Sequence, residues 1–443
     1  MNPPRHADVA GWTPPALADL SAAPGVAAAP PEAFDVIVVG AGPGGCAAAL
    51  AALRARPAAR VLVLDRAPVG RDKVCGDGLG PDAVAELAEL GLATLLRPEE
   101  RVHRLRLVAP SGADVVGPTP RPGYVVPRSE FDRRLVTAAV GAGAVLRQHR
   151  VREIHQQADG VVVDGKYTAP VLVGADGANS TVRRATGQPP NRGRHLAVAV
   201  RGYVPAPNGF DELYLRWDGA PGAGPSYAWA FPTAHGTANV GYGTNDPAAT
   251  KARLMTRAVQ LLPAFAVESA SMAGHLLPLS TRVVRPVSGR VLLVGDAASQ
   301  VNPLTGEGIF YALATGALAG HASVGADAGG NYARTLRARF GRHHAQVRLM
   351  SSLLGRRRIV EAAVRACGRD QRVFRQLITV GLGDGTMRFG DLARFAFAAR
   401  RTGGTCPHPV TLVGDLVPVI AGTSPACHSA STAKSVHDEE GSG

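Results

Sequence analysis

In this 443-residue sequence, the segments best suited to binding a nucleotide are glycine-rich turns that follow apolar runs. The first turn, GAGPGG at residues 40–45, follows the apolar run DVIVV and precedes an alanine-rich segment. In a G-x-G-x-x-G loop, Gly40 permits a tight turn, Gly42 lets the backbone approach a pyrophosphate, and Gly45 permits close helix–strand packing. Amide groups at the start of the following helix stabilise phosphate charge. The spacing, which also includes Gly44, predicts a dinucleotide-binding loop.

Three aspartates occupy comparable positions at the ends of other apolar runs. Asp65 ends the run VLVLD, 25 residues after Gly40, where a carboxylate can hydrogen-bond ribose hydroxyls. Asp176 in GADGANS and Asp296 in GDAAS each follow a run of similar character. A single aspartate in such a turn is usually a cap. Three such turns in one chain favour a shared ligand. The turns at Asp176 and Asp296, which are far from the first turn in the sequence, favour FAD over NAD.

The motifs together resemble a known group of flavoproteins. DVIVVGAGPGG, VLVLDR, GADGANSTVRR and VLLVGDAASQVNPLTGEGI are similar to the motifs of glutathione-reductase-type FAD enzymes with the aromatic-hydroxylase fold. KVCGDGL (residues 73–79) and PSYAWAFP (residues 225–232) resemble the geranylgeranyl reductase family, in particular its actinobacterial menaquinone/prenyl reductase branch. The resemblance covers about residues 34–400. Ser299 is a departure, because many relatives have glycine there.

This resemblance implies FAD as the cofactor and assigns residues to it. The ADP half would contact the loop at 40–45 together with Asp65 and Arg66. The residues implied for the rest of FAD are Arg128, Asp176, Asp296, Pro303, Gly306, Glu307, Gly308 and Ile309. Amides at a glycine-rich helix start can stabilise negative charge near the flavin N1–C2 carbonyl region. For Arg128, an Arg–Asp pair at the start of a helix is the alternative interpretation.

The resemblance also implies the catalytic residues. Cys75 is similar to the family's cysteine beside the flavin, and Gly76 and Gly78 leave it sterically open. A buried, packing cysteine is the alternative, and Cys46 among alanines illustrates it. Asp77 is either a nearby proton relay or a turn residue. The implied reaction transfers hydride from reduced FAD to one alkene carbon, and a proton from Cys75, or from water ordered by Asp77, to the other.

Alternating aromatic residues provide the predicted substrate surface. Tyr227, Trp229 and Phe231 share one face if their segment is a strand. Such a face is most often core, but the resemblance places it over the flavin, lining a tunnel for an isoprenoid chain. A hydrocarbon chain needs an apolar tunnel, in which length and shape set specificity. No second G-x-G-x-x-G follows a strand, so the electron donor is expected to be transient NAD(P)H or a ferredoxin.

Two other functions remain open at this stage. An FAD-dependent monooxygenase or epoxidase acting on a prenylated or terpenoid substrate would share the FAD motifs. A non-catalytic prenyl-binding protein would share the fold without redox chemistry, although the intact loop at 40–45 favours retained FAD. A halogenase is disfavoured, because the aromatic segment is YAWAFP and not WxWxIP.

Composition excludes several classes of protein. Apolar residues make up 46% of the chain and charged residues 19%, which rules out wholesale disorder. No run of about 18 uncharged apolar residues predicts a membrane-spanning helix, and prolines interrupt the N-terminal alanine stretch where a signal peptide would need an apolar region. The five cysteines are odd in number and lack CxxC spacing, so neither a disulfide framework nor a metal site is expected. A cytoplasmic protein is the resulting expectation.

The positive charge is concentrated near the C-terminus. Residues 332–401 contain sixteen arginines and four acids, a net +12 out of +13 for the whole chain. This distribution argues against nucleic-acid binding over the whole surface. The apolar positions that recur at helical spacing are Phe374, Leu377, Ile378, Phe389, Leu392 and Phe395. A basic amphipathic segment at 331–401 predicts peripheral contact with anionic lipid on the inner face of the membrane; a solvated face on packed helices is the alternative.

The elements that must position these residues predict an α/β fold. It would combine a Rossmann-type FAD-binding domain of the glutathione-reductase type, an inserted, mostly antiparallel β substrate domain, and C-terminal helices. The predicted units are a disordered arm at 1–33, an FAD-binding domain at 34–101, 121–195 and 285–330, a substrate-binding domain at 102–120 and 196–284, a basic helical segment at 331–402, and a disordered tail at 403–443.

Overall fold

A computed structural model describes residues 30–219, 225–269, 271–388 and 390–391. Its strands are β1 (Glu32–Ala33), β2 (Val36–Val39), β3 (Val61–Asp65), β4 (Gly78–Leu79), β5 (Arg101–Val108), β6 (Asp114–Val125), β7 (Val145–Gln148), β8 (Ile154–Gln156), β9 (Val161–Val163), β10 (Tyr167–Ala169), β11 (Val171–Gly174), β12 (Leu196–Pro205), β13 (Glu212–Trp217), β14 (Tyr227–Pro232), β15 (Thr237–Thr244), β16 (Ala273–Pro278), β17 (Val287–Ser288) and β18 (Val291–Leu293). Its α-helices are α1 (Pro43–Ala55), α2 (Pro81–Glu89), α3 (Arg128–Gly141), α4 (Thr181–Ala185), α5 (Lys251–Leu261), α6 (Ile309–Ser323), α7 (Ala328–Leu354), α8 (Arg357–Arg369) and α9 (Gln371–Leu382).

The first sheet has six strands in the order β17-β18-β11-β2-β3-β7. All neighbours are parallel except β17 and β18. The run VIVV of β2 is fully buried, as a parallel strand covered on both faces requires. Helices α1 and α6 pack on one face of the sheet, and a small sheet covers the other. The apolar run before the glycine loop, the alanine-rich segment after it and the run that ends at Asp65 are therefore the β-α-β unit β2, α1 and β3.

Helices α1 and α6 approach so closely that only glycine fits at two positions of α6. A Cβ on Gly316 would overlap the carbonyl oxygen of Gly44, and a Cβ on Gly320 would overlap that of Ala48. Within the nucleotide loop, a Cβ on Gly45 would likewise overlap the carbonyl oxygen of Gly40. The position of the loop thus depends on the packing of α6 against α1.

The second sheet has eight strands in the order β16-β12-β15-β14-β13-β5-β6-β4. Every pairing is antiparallel except that of β5 with β13, so the prediction of a mostly antiparallel layer is confirmed. Helix α5 covers one face, where it packs on β12, β14 and β15. Helices α8 and α9 cover part of the other face, beside β5, β6 and β13.

Several boundaries differ from those expected. Strands β8, β9 and β10 lie within the range expected for the FAD-binding domain, but they do not join its six-stranded sheet; with β1 they form a separate four-stranded sheet. The predicted arm extends too far, because the backbone of Glu32 and Ala33 pairs with β10; residues 1–29 and the predicted tail at 403–443 lie outside the described residues. Residues 78–79 and 121–125, expected in the FAD-binding part, belong to the second sheet because β6 is one continuous strand that also pairs with β4.

The basic C-terminal segment forms α7, α8 and α9. Phe374 and Ile378, expected on an amphipathic surface, are buried against the second sheet, and Leu377 is half-buried there. The other apolar positions expected on that surface, Phe389, Leu392 and Phe395, lie outside the described residues. Of the helices described, none has the length and apolar character needed to cross a membrane.

Candidate functional site

One cavity of about 990 Å³ lies between the two large sheets and receives residues from both. The sequence-predicted residues that line it are Gly40, Gly42, Gly44, Asp65, Arg66, Cys75, Arg128, Asp176, Tyr227, Trp229, Phe231, Asp296, Pro303, Gly306, Glu307, Gly308 and Ile309. Gly45 and Asp77 are not part of the lining. Gly45 packs against the carbonyl oxygen of Gly40 within the loop, where its missing side chain permits the close contact already described.

The nucleotide loop and the turn after β11 meet at the edge of the first sheet. Gly40 has φ +107°, and a Cβ there would overlap the carbonyl oxygen of Ala175. Asp65 shapes the same edge, since its carboxylate accepts hydrogen bonds from the amides of Ala41 (2.8 Å) and Ala67 (2.9 Å). Two of the predicted turns therefore converge because the carboxyl ends of parallel strands lie together.

Cys75 lies in the cavity wall next to a buried cation. Arg128 forms a bidentate pair with Asp132, at 2.8 and 3.0 Å, so the expected pair at the start of α3 exists. Arg128 also lines the cavity, which means that the two interpretations of this residue are compatible. Burial raises the pKa of the Cys75 thiol, although Arg128 acts in the opposite direction. The thiol is therefore protonated at neutral pH and has a proton to donate.

The three aromatic residues of β14 form a wall facing the Cys75 loop. A Cβ on Gly76 or Gly78 would lie 3.1 or 3.3 Å from Cε2 of Phe231, so both glycines leave room for that ring. Tyr227 donates a hydrogen bond to the carbonyl oxygen of Thr305, in the loop before α6. Trp229 is 6% exposed and lies between these contacts. The wall joins the Cys75 loop to the loop that precedes α6.

Comparison with known proteins agrees with this geometry. The profile of the FAD binding domain family matches residues 33–314. The menaquinone reductase of Mycolicibacterium smegmatis is 40% identical over 313 residues, covering 64% of this chain and 75% of that protein. The digeranylgeranylglycerophospholipid reductase 1 of Methanopyrus kandleri is 33% identical over 318 residues, covering 66% and 80%.

The chain belongs to the geranylgeranyl reductase family. It is thus an FAD-dependent oxidoreductase, as the motifs predicted. The crystal structure of a geranylgeranyl bacteriochlorophyll reductase-like protein from Thermoplasma acidophilum has a TM-score of 0.68 to it at 20% identity, covering 82% of this chain and 96% of that one. The predicted fold class is confirmed.

The residues of this family member fit the FAD that the family implies. Asp176 Oδ1 is buried and has no hydrogen-bond partner among the described residues, as expected of an acceptor kept for a ligand hydroxyl. Lys73 Nζ would stand 3.5 Å from a Cβ on Gly42, which places a cation beside the loop that approaches a pyrophosphate. Lys73 (2.6 Å) and Arg128 share the single carboxylate of Asp132, so these three side chains together carry a net positive charge.

The amide of Asn239 holds the Cys75 loop of this reductase-family protein from behind, together with Arg201, whose Nε donates to the carbonyl oxygen of Cys75 (3.0 Å). Asn239 Nδ2 donates to the carbonyl oxygen of Cys75 (2.8 Å) and to Asp77 (2.7 Å), while its Oδ1 accepts from Trp229 Nε1 (2.9 Å). Tyr203 also donates to Asp77. The carboxyl of Asp77 therefore faces this cluster, and its pKa is raised by burial to about 6. Its predicted role as a proton relay stays a prediction.

Ser299, the departure from the family pattern, has a local explanation. It adopts the left-handed conformation, with φ +56°, that glycine adopts without strain. Its hydroxyl donates to Asn191 (2.8 Å) and accepts from Arg183 (2.8 Å). Arg183 is 3% exposed, so this hydroxyl helps to satisfy a buried guanidinium directly behind the turn that carries Asp296.

The C-terminal helices contribute a wall that the sequence analysis did not predict. Leu382, at the end of α9, lines the cavity. The preceding backbone holds the loop before α6: Asn302 donates to the carbonyl oxygen of Val380 at 3.0 Å, and Thr305 donates to that of Gly381 at 2.5 Å. These contacts join segments that are more than seventy residues apart in the sequence, and no local sequence motif predicts them.

Glu307 gives the site a titratable group near neutrality. Its carboxylate accepts a hydrogen bond from the amide of Phe310 (2.8 Å), and burial raises its pKa from 4.5 to about 7. The folded protein therefore holds a proton on Glu307 at pH values where the unfolded chain has released it.

We expect the free energy of unfolding of flavin-free protein to fall relative to that of Glu307→Gln as pH rises from about 5 to 8. Folding raises the pKa of the Glu307 carboxyl. Its favourable contribution to the free energy of unfolding is therefore fully present below the pKa of the unfolded chain, and it is lost as pH rises through the pKa of the folded protein. A shift from 4.5 to about 7 corresponds to about 3 kcal/mol. Urea unfolding across this range measures the difference; a gap that does not change with pH would contradict the assignment.

Proposed function

We propose that this protein saturates carbon–carbon double bonds of an isoprenoid chain. The observation that supports the proposal most directly is that Cys75, the aromatic wall of β14 and the glycine-rich turns line one cavity. FAD, when bound, supplies hydride to one alkene carbon. Cys75, protonated at neutral pH because it is buried, supplies the proton to the other carbon.

The lining of the cavity supports a hydrocarbon substrate. Beside Phe231, it includes Leu105, Leu213, Leu215 and Leu382. Such side chains offer no hydrogen bonds, so they discriminate by length and shape rather than by polar recognition. They also limit the access of water to the reacting carbon, which suppresses side reactions.

The names of the relatives point to the same substrate class. They are called menaquinone reductase and digeranylgeranylglycerophospholipid reductase, and both names refer to lipids with isoprenoid chains. The remaining parts of the proposal are an isoprenoid or lipid substrate, NAD(P)H or a ferredoxin as electron donor, and contact of residues 331–401 with anionic membrane from the cytoplasmic side. The roles given above to the individual cavity residues belong to the same proposal.

Product mass tests this function. Purified protein with bound flavin, reduced by dithionite under anaerobic conditions, is incubated with a panel of prenyl diphosphates and prenylquinones. The expected product gains two hydrogens for each double bond reduced. Gain of one oxygen in air, with NAD(P)H present, would identify an epoxidase instead. Unchanged substrate together with absence of released flavin would identify a prenyl-binding protein.

A further inference from the structure

We propose that the corner between α7 and α8 is a docking surface for an anionic lipid bilayer. The corner consists of Leu349 and Leu353 on α7 and of Arg356, Arg357 and Arg358 at the start of α8. The proposal rests on the proposed function, because a membrane-embedded isoprenoid must reach the cavity. It replaces α9 as the expected contact, since the apolar residues of α9 that the structure describes are covered by protein.

Two leucines of the corner are exposed in the described structure. Leu349 is 67% exposed and Leu353 is 39% exposed, although most large apolar side chains among the described residues are covered. They are four residues apart in a helix, so their side chains lie on one face. An apolar pair at the end of a long helix can enter the headgroup region of a bilayer without moving the core of the protein.

Three consecutive arginines accompany the leucines. Arg356, Arg357 and Arg358 are all exposed. Arg357 Nε is 3.8 Å from Glu361, whose carboxylate also accepts hydrogen bonds from the amide and hydroxyl of Ser111 at 2.7 Å. Among the described residues, no carboxylate pairs with Arg356 or Arg358. Each such cation near an anionic surface contributes about 1 kcal/mol of binding.

An apolar cluster lies between helix α7 and the substrate cavity. On α7, Val347 packs with Leu304, Val380 and Met387, and Met350 packs against the same group. Leu304 also lines the cavity. Helix α7, which carries the two exposed leucines, therefore packs through this cluster on a residue of the cavity wall.

Charge and apolarity together select the occupant. An acidic protein partner would pair with the arginines, but it would not explain why the two leucines that precede them are exposed to solvent. A second copy of this chain would bring like charges together at the arginines. A bilayer with anionic headgroups satisfies both features, because leucine enters the acyl boundary while arginine contacts phosphate.

Vesicle sedimentation tests the proposal on the full chain with its flavin. The full chain is expected to sediment with phosphatidylcholine vesicles containing phosphatidylglycerol and not with phosphatidylcholine alone. The double substitution Arg356→Gln and Arg358→Gln removes two positive charges. It should weaken vesicle binding roughly 30-fold, since each cation contributes about 1 kcal/mol. Leu349→Ser with Leu353→Ser should also weaken it. Because these positions are exposed, the substitutions are expected to leave the fold intact.

The matched control neutralises two exposed arginines of α9, Arg372→Gln and Arg375→Gln. It removes the same charge, and its binding should fall much less than that of the corner variant. Equal loss in both variants would show non-specific attraction and overturn the proposal, as would absence of vesicle binding by the full chain. Reduction of a detergent-solubilised substrate should be unchanged in all variants. If no substrate is reduced at all, the proposed function fails while the sedimentation result still stands.

Discussion

Replacing Cys75 by alanine should lower the rate of double-bond reduction by about 100- to 10,000-fold, the range for loss of a general acid. The physical reason is that burial raises the pKa of this thiol, so it stays protonated at neutral pH in the wall of the cavity. The rate is measured in single turnovers, by following oxidation of reduced flavin when substrate is added anaerobically. Flavin content, from absorbance of the purified protein, should be unchanged.

Cys367→Ala provides the matched control for this result. Cys367 is also a free cysteine, but it is buried on α8 among side chains that pack against the second sheet. Its replacement should leave the turnover rate unchanged. Turnover of Cys75→Ala equal to that of the control would remove the thiol from the mechanism. Loss of flavin together with activity would show that Cys75 acts on cofactor binding instead.

Gly320→Ala should destabilise the protein by about 3 kcal/mol and reduce the flavin it retains. A Cβ at this position would overlap the carbonyl oxygen of Ala48, so α6 must move away from α1. Overpacking of a close contact costs about 1–3 kcal/mol or more. Flavin binding should weaken because α1 begins at the nucleotide loop. Urea unfolding and flavin retention after gel filtration measure the two effects.

The control makes the same substitution in an open part of another helix. A Cβ on Gly341 of α7 would have Arg337 Cγ as its nearest neighbour, at an ordinary 3.5 Å. Gly341→Ala should therefore be neutral or stabilising by up to about 1 kcal/mol, the helix propensity difference. If the free energy of unfolding of Gly320→Ala equalled that of Gly341→Ala, the close contact between α1 and α6 would not contribute to stability.

The FAD end of the site could be predicted from the sequence because its signals are local. Glycine turns after buried runs mark strand ends, and parallel strands bring their carboxyl ends to one edge. The region around Cys75 was less predictable. Asn239 is 164 residues from Cys75 and comes from an antiparallel strand, where polar and apolar residues alternate in any case. Nothing local distinguishes this asparagine from a solvent-facing one.

The C-terminal helices show that a pattern of charged and apolar residues also has limited power to predict what an element contacts. The arginine content correctly indicated a basic helical segment, but periodicity alone cannot say what covers an apolar face. Phe374 fits against β6, where a Cβ on Gly117 would lie 2.8 Å from Cε1 of the ring. Since that hole is created by a glycine more than 250 residues earlier, the burial of Phe374 is a property of the assembled fold.

The parallel pairing of β5 with β13 has a consequence for biosynthesis. Strand β5 pairs with β6 on one side, but its other edge remains open until residues 212–217 have been made. A nascent chain that stops before that point already contains the nucleotide loop, yet it exposes an eight-residue edge able to pair with other chains. Premature termination in this interval should therefore yield insoluble fragments rather than a smaller flavoprotein.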